Sequence, residues 1–278
     1  MKYKVDGDKI FVLDSSEFNP KHICECGQMF RFKALEGGAY IVQSSSFVAK
    51  IEPSKVGYVV QSSNPEYFVN YLDLNRDYAA DKLVLAKVPQ LAEAIERGQG
   101  IRIVSGEPFE VIIEFIISAN NNIKRISGIV ERLCQIGEDV VSSFGTFKAF
   151  PSVAKLASMP QEWFDSLGAG YRASYLKHTA DYLATCDLTQ VAKLSSDQLY
   201  KWLISLKGVG PKVASCIMLF GFGRREYFPV DTWVEQVYYN HFYQGDKTRK
   251  QIQAYFEEMF GELSGIAQQY LFYSEREK

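Results

Sequence analysis

The chain is poor in the side chains that most often hold metals. Its three histidines, His22, His178 and His241, lie far apart, with no H-x-x-x-H among them. Five cysteines, Cys24, Cys26, Cys134, Cys186 and Cys216, make no C-x-x-C pair and no even disulfide framework. His22 sits close to Cys24 and Cys26. A site there stays open, but it would want further ligands, and the reading is free thiols with no metal. Long apolar runs are missing too. The most apolar stretch, "VIIEFII" from Val111 to Ile117, carries Glu114 and is far shorter than the roughly 20 residues a bilayer demands. The beginning, "MKYKVDGDKIFVLD", has no apolar signal core. An intracellular protein with no membrane is the expectation. Nor does one sign of charge dominate: 31 basic residues meet 33 acidic ones, for a net charge of −2. That balance neither announces nor excludes nucleic acid, because a local basic face is what meets phosphate. Basic residues do gather at Lys124–Arg125, at Arg172 with Lys177, and between Lys201 and Lys212. No repeat of fixed period appears, and the composition, 47% hydrophobic and 23% charged, is that of a folded protein.

Residues 1 to about 63 read as strands. "KIFVLD", "MFRFKAL", "AYIVQSS", "FVAKIE" and "GYVVQSS" are short runs rich in Val, Ile, Phe and Tyr, separated by turn material such as Asp6-Gly7-Asp8 and Glu36-Gly37-Gly38. From Pro65 onward the apolar period becomes helical. "QLAEAIERG" stops at Gly98, and "IKRISGIVERLCQIG" puts Ile123, Ile126, Ile129, Val130 and Leu133 on one stripe ending at Gly137. The expectation is an α+β chain: an antiparallel β module with connecting helices over 1–90, then a helical domain over 91–278. The last helix, 263–278, is expected to pack back toward the functional pocket.

Chemistry concentrates in a few stretches. "LGAGYRA", Leu167 to Ala173, fits G-x-G-x-x-A, but the helical "QEWFDS" before it and the lack of a βαβ unit exclude a dinucleotide site. Its glycines instead make a tight turn presenting Tyr171 and Arg172 at a tip. In "LKGVGPKVA", one helix runs into Gly208-Val209-Gly210 and another starts at Pro211, the favoured first position. Glycine lets the chain reverse, and it lets bare N–H groups approach a phosphate at the new helix's N-terminus. This reads as a helix-hairpin-helix; taken alone, an ordinary turn between helices fits as well. Lys212 falls in the first turn of the second helix, where dipole and burial are both expected to disfavour the protonated amine. A neutral amine suits Schiff-base chemistry; a lysine touching phosphate is the competing role. Helical spacing places Cys216 and Phe220 on the face of Lys212. Asp231, after Pro229-Val230, caps the next helix. Beside Lys212 its carboxylate could also stabilise positive charge developing on a sugar. Asparagines in "ANNN" (Ala119 to Asn122) suit a helix stop.

The hairpin with its lysine and the following "PVD" resemble the helix-hairpin-helix/Gly-Pro-Asp DNA glycosylase superfamily. "CGQMFRF" (Cys26 to Phe32), "SANNNIKRISGIVERLCQ" (Ser118 to Gln135) and "AQQYLF" (Ala267 to Phe272) resemble one branch, the 8-oxoguanine DNA glycosylase/AP lyases, in the family's order. That resemblance implies a bifunctional enzyme acting on double-stranded DNA with an oxidised purine, without a cofactor and as a monomer. It implies Lys212 as the nucleophile at C1′ and Asp231 as the stabiliser of the sugar's charge. It gives Gly27 as the carbonyl that accepts the lesion's N7–H, Phe272 and Cys216 as a sandwich for the base, and Gln268 as the reader of its Watson–Crick edge. Tyr171 would wedge into the stack, while Asn120, Arg125 and Arg172 fill the gap and read the orphaned cytosine; Gly208 and Gly210 would meet phosphate. Two departures stand out. Trp233 replaces the histidine usual after "PVD", which puts its phosphate contact in question, and Met29 replaces a smaller polar residue and is expected to reshape the pocket wall. The rivals are a monofunctional glycosylase for alkylated bases or mismatched adenine, and a non-catalytic DNA clamp.

Overall fold

The computed structural model describes residues 2–277. Its first part is a six-stranded antiparallel sheet formed by β1 (Tyr3–Asp6), β2 (Lys9–Val12), β3 (Phe32–Ala34), β4 (Tyr40–Ser44), β5 (Phe47–Ser54) and β6 (Gly57–Ser62). The spatial order is β1-β2-β6-β5-β4-β3. Alternation along the strands sends Ile10, Val12, Val42, Ile51 and Val60 into the core, each with no exposed surface. The α+β layout expected from the change of period is the one the chain adopts.

A short helix, α1 (Pro20–Glu25), interrupts the strands between β2 and β3. Asn19 caps it through its side chain, with Pro20 at the first position. Helices α2 (Pro65–Tyr71), α3 (Tyr78–Leu85) and α4 (Pro89–Arg97) follow the sheet, and Gly98 closes α4 as its pattern predicts. The helical remainder comprises α5 (Pro108–Ser118), α6 (Ile123–Cys134), α7 (Val153–Ala157), α8 (Gln161–Ser166), α9 (Arg172–Leu183), α10 (Leu188–Val191) and α11 (Ser196–Ser205). It ends with α12 (Pro211–Phe222), α13 (Thr232–His241), α14 (Arg249–Phe260) and α15 (Ser264–Arg276).

Two local expectations need correcting. Helix α6 stops at Cys134 rather than Gly137; Gly137 lies past the cap, its N–H donating to the Cys134 carbonyl at 2.8 Å. And the helical half holds a hairpin, β7 (Asp139–Ser142) paired with β8 (Gly145–Lys148). Its strands bury little, Val141 being 78% exposed, so no buried face imprinted a strand pattern on the sequence.

Helix α5 is the spine. Every residue from Phe109 to Ser118 is buried, and the helix packs on α12, α9 and α6. A helix apolar all round belongs inside a core, which explains "VIIEFII" without a membrane; no described helix is long and apolar enough to cross one. Two acids ride on it. Glu110 pairs with Arg31 at 2.7 Å, both side chains 6% exposed. Its other oxygen accepts from the Ser45 N–H in the β4–β5 turn. Arg31 also donates to the carbonyl of Lys148. One ion pair thus ties sheet, spine and hairpin together.

Glu114, one turn on, has no ion pair among the described residues. Burial first, then the charge of Glu110, pushes its carboxyl well above the usual range, while Arg31 pulls weakly the other way. A carboxyl whose pKa rises on folding contributes full stability below its unfolded pKa and loses it as pH climbs through the folded value. Glu114→Gln should therefore raise Tm by a few degrees at pH 8, with the gain shrinking to nothing toward pH 4 in thermal melts across that range.

Candidate active site

The hairpin between α11 and α12 is built by its punctuation. Ser195 and Gln198 form a capping box at the start of α11. The chain leaves Leu206 extended and turns at Gly208, whose φ is +84°. A Cβ there would stand 2.6 Å from Cδ2 of Tyr175 on α9. Gly210, with φ −91°, caps α12, and a Cβ on it would meet nothing within 4 Å. Gly208→Ala should therefore cost about 1–3 kcal/mol of stability, and Gly210→Ala less, up to about 1 kcal/mol for the poorer N-cap; paired chemical denaturation measures both. The first α12 helical bond runs from Ala214 N–H to Gly210 O at 2.9 Å, so the N–H groups of Lys212 and Val213 precede the ladder and face outward at the positive end of the dipole.

Helix α12 then carries Lys212, Cys216 and Phe220 into one narrow cleft of about 30 Å³, whose other walls include Gly27, Asp231, Gln268 and Phe272. The six residues assigned to catalysis and base holding thus come together from α12, the turn after α1, the start of α13 and one face of α15. Lys212 Nζ lies 5.6 Å from the ring centroid of Phe115 on the spine. Phe115 in turn stacks on Phe220, 5.5 Å between centroids and 15° apart in plane. Burial pushes the Cys216 thiol up; the Lys212 amine, by charge and hydrogen bond, pulls it back, and Asp231 adds to the rise. Cys216 is therefore a neutral thiol at physiological pH, a soft apolar wall rather than a rival nucleophile.

Asp231 caps α13, its Oδ1 accepting from Val234 N–H at 3.0 Å. Among the described residues no hydrogen bond engages Oδ2, which remains for work in the cleft. Gly27 has φ +78° and packs under Phe272, whose Cε1 would lie 3.6 Å from an added Cβ.

A second cluster gathers Asn120, Arg125, Tyr171 and Arg172. Asn120 adopts φ +48° just past α5, a conformation asparagine tolerates better than most side chains, and Asn122 caps α6. Exposed Arg125 donates to the Gly168 carbonyl at 3.2 Å. Tyr171, 56% exposed, stands at the tip of the turn. Arg172 differs from expectation: it is only 3% exposed. Its Nε donates to Ala119 O at 2.8 Å, Nη2 to Asn120 O at 2.8 Å and Nη1 to Ala169 O at 3.1 Å. Free carbonyls at the negative end of α5 attract the guanidinium, which lies 4.4 Å from the Tyr171 ring centroid. In this state it braces the Asn120 turn and the tyrosine instead of reaching outward. Trp233, 41% exposed in the first turn of α13, lies outside the cleft lining.

Met29 also departs from expectation, since it is buried beside Gln28, Tyr71 and Val104, away from the cleft. The rest of its motif is framework. Gln28 donates to the carbonyls of Ile23 and Arg102 and accepts from Val104 N–H, which fixes the turn at Gly27. Cys24 and Cys26 are buried, Cys26 Sγ donating to Ile23 O, while His22 Nδ1 lies 2.7 Å from the Gln99 carbonyl. Sequence reasoning missed Phe115, whose signal was being the one ring in an aliphatic run, and Gln269, which no spacing rule places in the cleft.

Comparison with known proteins divides the chain between two family descriptions. Residues 10–112 match the 8-oxoguanine DNA glycosylase N-terminal domain. Residues 113–262 match the HhH-GPD superfamily of base excision DNA repair proteins. The chain is 32% identical over 203 residues to the N-glycosylase/DNA lyase OGG1 of Arabidopsis thaliana, 68% of this chain and 56% of that protein. It is 30% identical over 205 residues, 66% of this chain and 65% of the relative, to a probable N-glycosylase/DNA lyase of Methanothermobacter thermautotrophicus. These matches span under two thirds of each relative. A solved structure, the Clostridium acetobutylicum 8-oxoguanine glycosylase/lyase in complex with dsDNA containing cytosine opposite 8-oxoG, aligns with TM-score 0.92 and 35% identity over 100% of this chain and 98% of that one.

Proposed function

The chain belongs to the HhH-GPD superfamily of base excision DNA repair proteins, and from that premise we propose that it excises 8-oxoguanine from duplex DNA and then nicks the abasic strand. The observation that carries this reading is Lys212 and Asp231 lining one narrow cleft whose remaining walls are rings, thiols and amides, groups on which a purine can stack and bond once the cleft widens. A base inside the stack is out of reach, so it must be extruded into that cleft. There Phe272 and Cys216 take its two faces, and the Gly27 carbonyl accepts the N7–H that guanine lacks. The positive φ of Gly27 turns that backbone toward the cleft without a side chain in the way.

Lys212, once deprotonated, attacks C1′ through Nζ; the C1′–N9 bond breaks and the base leaves with the electron pair. Asp231 Oδ2 stabilises the positive charge building on the sugar, a role for a preorganised carboxylate in a water-poor site. Ring opening gives the imine between Nζ and C1′. Loss of a C2′ proton then expels the 3′ phosphate by β-elimination, the imine acting as electron sink. The scheme draws on no cofactor. Outside the cleft, Gly208-Val209-Gly210 and the α12 N-terminus meet phosphate, Tyr171 fills the vacated stack, and Asn120, Arg125 and Arg172 face the orphaned cytosine after Arg172 exchanges its internal carbonyls for the base. The partner is double-stranded DNA, engaged by a single copy of the chain wherever the cell keeps that DNA.

A single-turnover assay tests this on a duplex with 8-oxoguanine opposite cytosine, half of each sample quenched neutral and half in hot alkali. Strand cuts in both halves are expected. Cuts in the alkali half alone would make the enzyme monofunctional, and tight binding without cuts would leave a clamp.

A further inference from the structure

Helix α15 supplies two neighbouring amides to the cleft, Gln268 and Gln269. Consecutive helical residues point about 100° apart, so Gln269 should look away from the face that Gln268 shares with Phe272. It does not: its Nε2 donates to Gln268 Oε1 at 3.0 Å. The side chain is only 3% exposed, and among the described residues its buried Oε1 has no hydrogen-bond partner. Buried carbonyl oxygens are rarely left so, because each forfeits its hydration. An amide bonded to an amide in this way leaves one NH₂ group and one carbonyl oxygen outside the bond, whichever way the two are turned as a pair.

We infer that Gln269 is a second reader of the extruded base, its Oε1 accepting a hydrogen bond from the exocyclic 2-amino group while its Nε2 fixes the Gln268 amide. This rests on the glycosylase reading above. The Watson–Crick edge of an oxidised guanine offers the acceptor O6 beside the donors N1–H and N2–H₂. Gln268, its own oxygen occupied, turns its NH₂ toward O6, and the unpaired oxygen of Gln269 supplies the acceptor that the 2-amino group requires. Among the described residues that oxygen has no partner, so a base bearing the amine supplies a donor that a base without it cannot.

The test sets two lesions against two variants under single turnover, opposite cytosine. 8-Oxohypoxanthine keeps O6, N1–H, N7–H and the C8 carbonyl of 8-oxoguanine and lacks only the 2-amino group. Wild type should prefer 8-oxoguanine by about tenfold or more, since a site built to bond an N–H rejects the analogue without it. Gln269→Leu should erase most of that preference, chiefly by slowing 8-oxoguanine, and Gln269→Met provides the same readout if leucine disturbs packing. Nicking of a preformed abasic site should be unchanged in both, which shows fold and imine chemistry intact. Equal slowing of both lesions would overturn the inference, leaving Gln269 a brace for Gln268. So would a wild type indifferent to the amine. Failure of wild type to release 8-oxoguanine would overturn the functional reading itself.

Discussion

Lys212→Gln should lose base release and strand nicking together, by at least about 10³-fold in single turnover, because in the proposed mechanism both steps pass through the same nitrogen. Its folding should not suffer. The amine sits in the first turn of α12, beside unpaired N–H groups at the positive end of the helix, where a cation is unfavourable by a few tenths to about 1 kcal/mol. Removing the charge keeps Tm level or raises it slightly, although the contact with Phe115 is lost. Melting curves beside the rate measurement separate the cases: lost activity with unchanged Tm marks a residue placed for chemistry at some cost to its helix. Lysine serving only to touch phosphate would instead give weaker binding, relieved at saturating enzyme, with the excision rate intact.

The second large effect divides the two duties of Asp231. Asparagine caps helices about as well as aspartate, so Asp231→Asn should retain the bond to Val234 N–H and melt within a degree or two of wild type. It lacks the negative charge, and base release should fall by about 10²–10³-fold. Asp231→Ala loses charge and cap alike, adding roughly 1 kcal/mol of instability to a similar rate loss. Were asparagine to work as well as aspartate, the residue would be a cap and no more.

How far the sequence could be read follows from what each feature depends on. Hydrophobic period carried the sheet and most helices because burial acts locally along one element. The hairpin was legible for a similar reason: Gly208, Gly210 and Pro211 state their backbone requirements in their own chemistry. The β7–β8 hairpin carries no such statement, and its exposed strands left no apolar face to count. Roles resting on long-range partners were not legible at all. Nothing near Arg172 in sequence reveals that the end of α5 offers it carbonyls, and nothing in "CGQMFRF" says that Gln28 braces Gly27 across residues 102–104. Phe115 looked like one more apolar residue until the fold laid it beneath Lys212. Gln269 reaches the cleft only through its neighbour's amide.

The measurement that bears most directly on the account is borohydride trapping on a duplex with 8-oxoguanine opposite cytosine, followed by peptide mapping of the adduct. The account predicts a stable protein–DNA complex carrying the sugar remnant on the peptide that contains Lys212. A complex mapped to another amine, or base release with no complex at all, would contradict it.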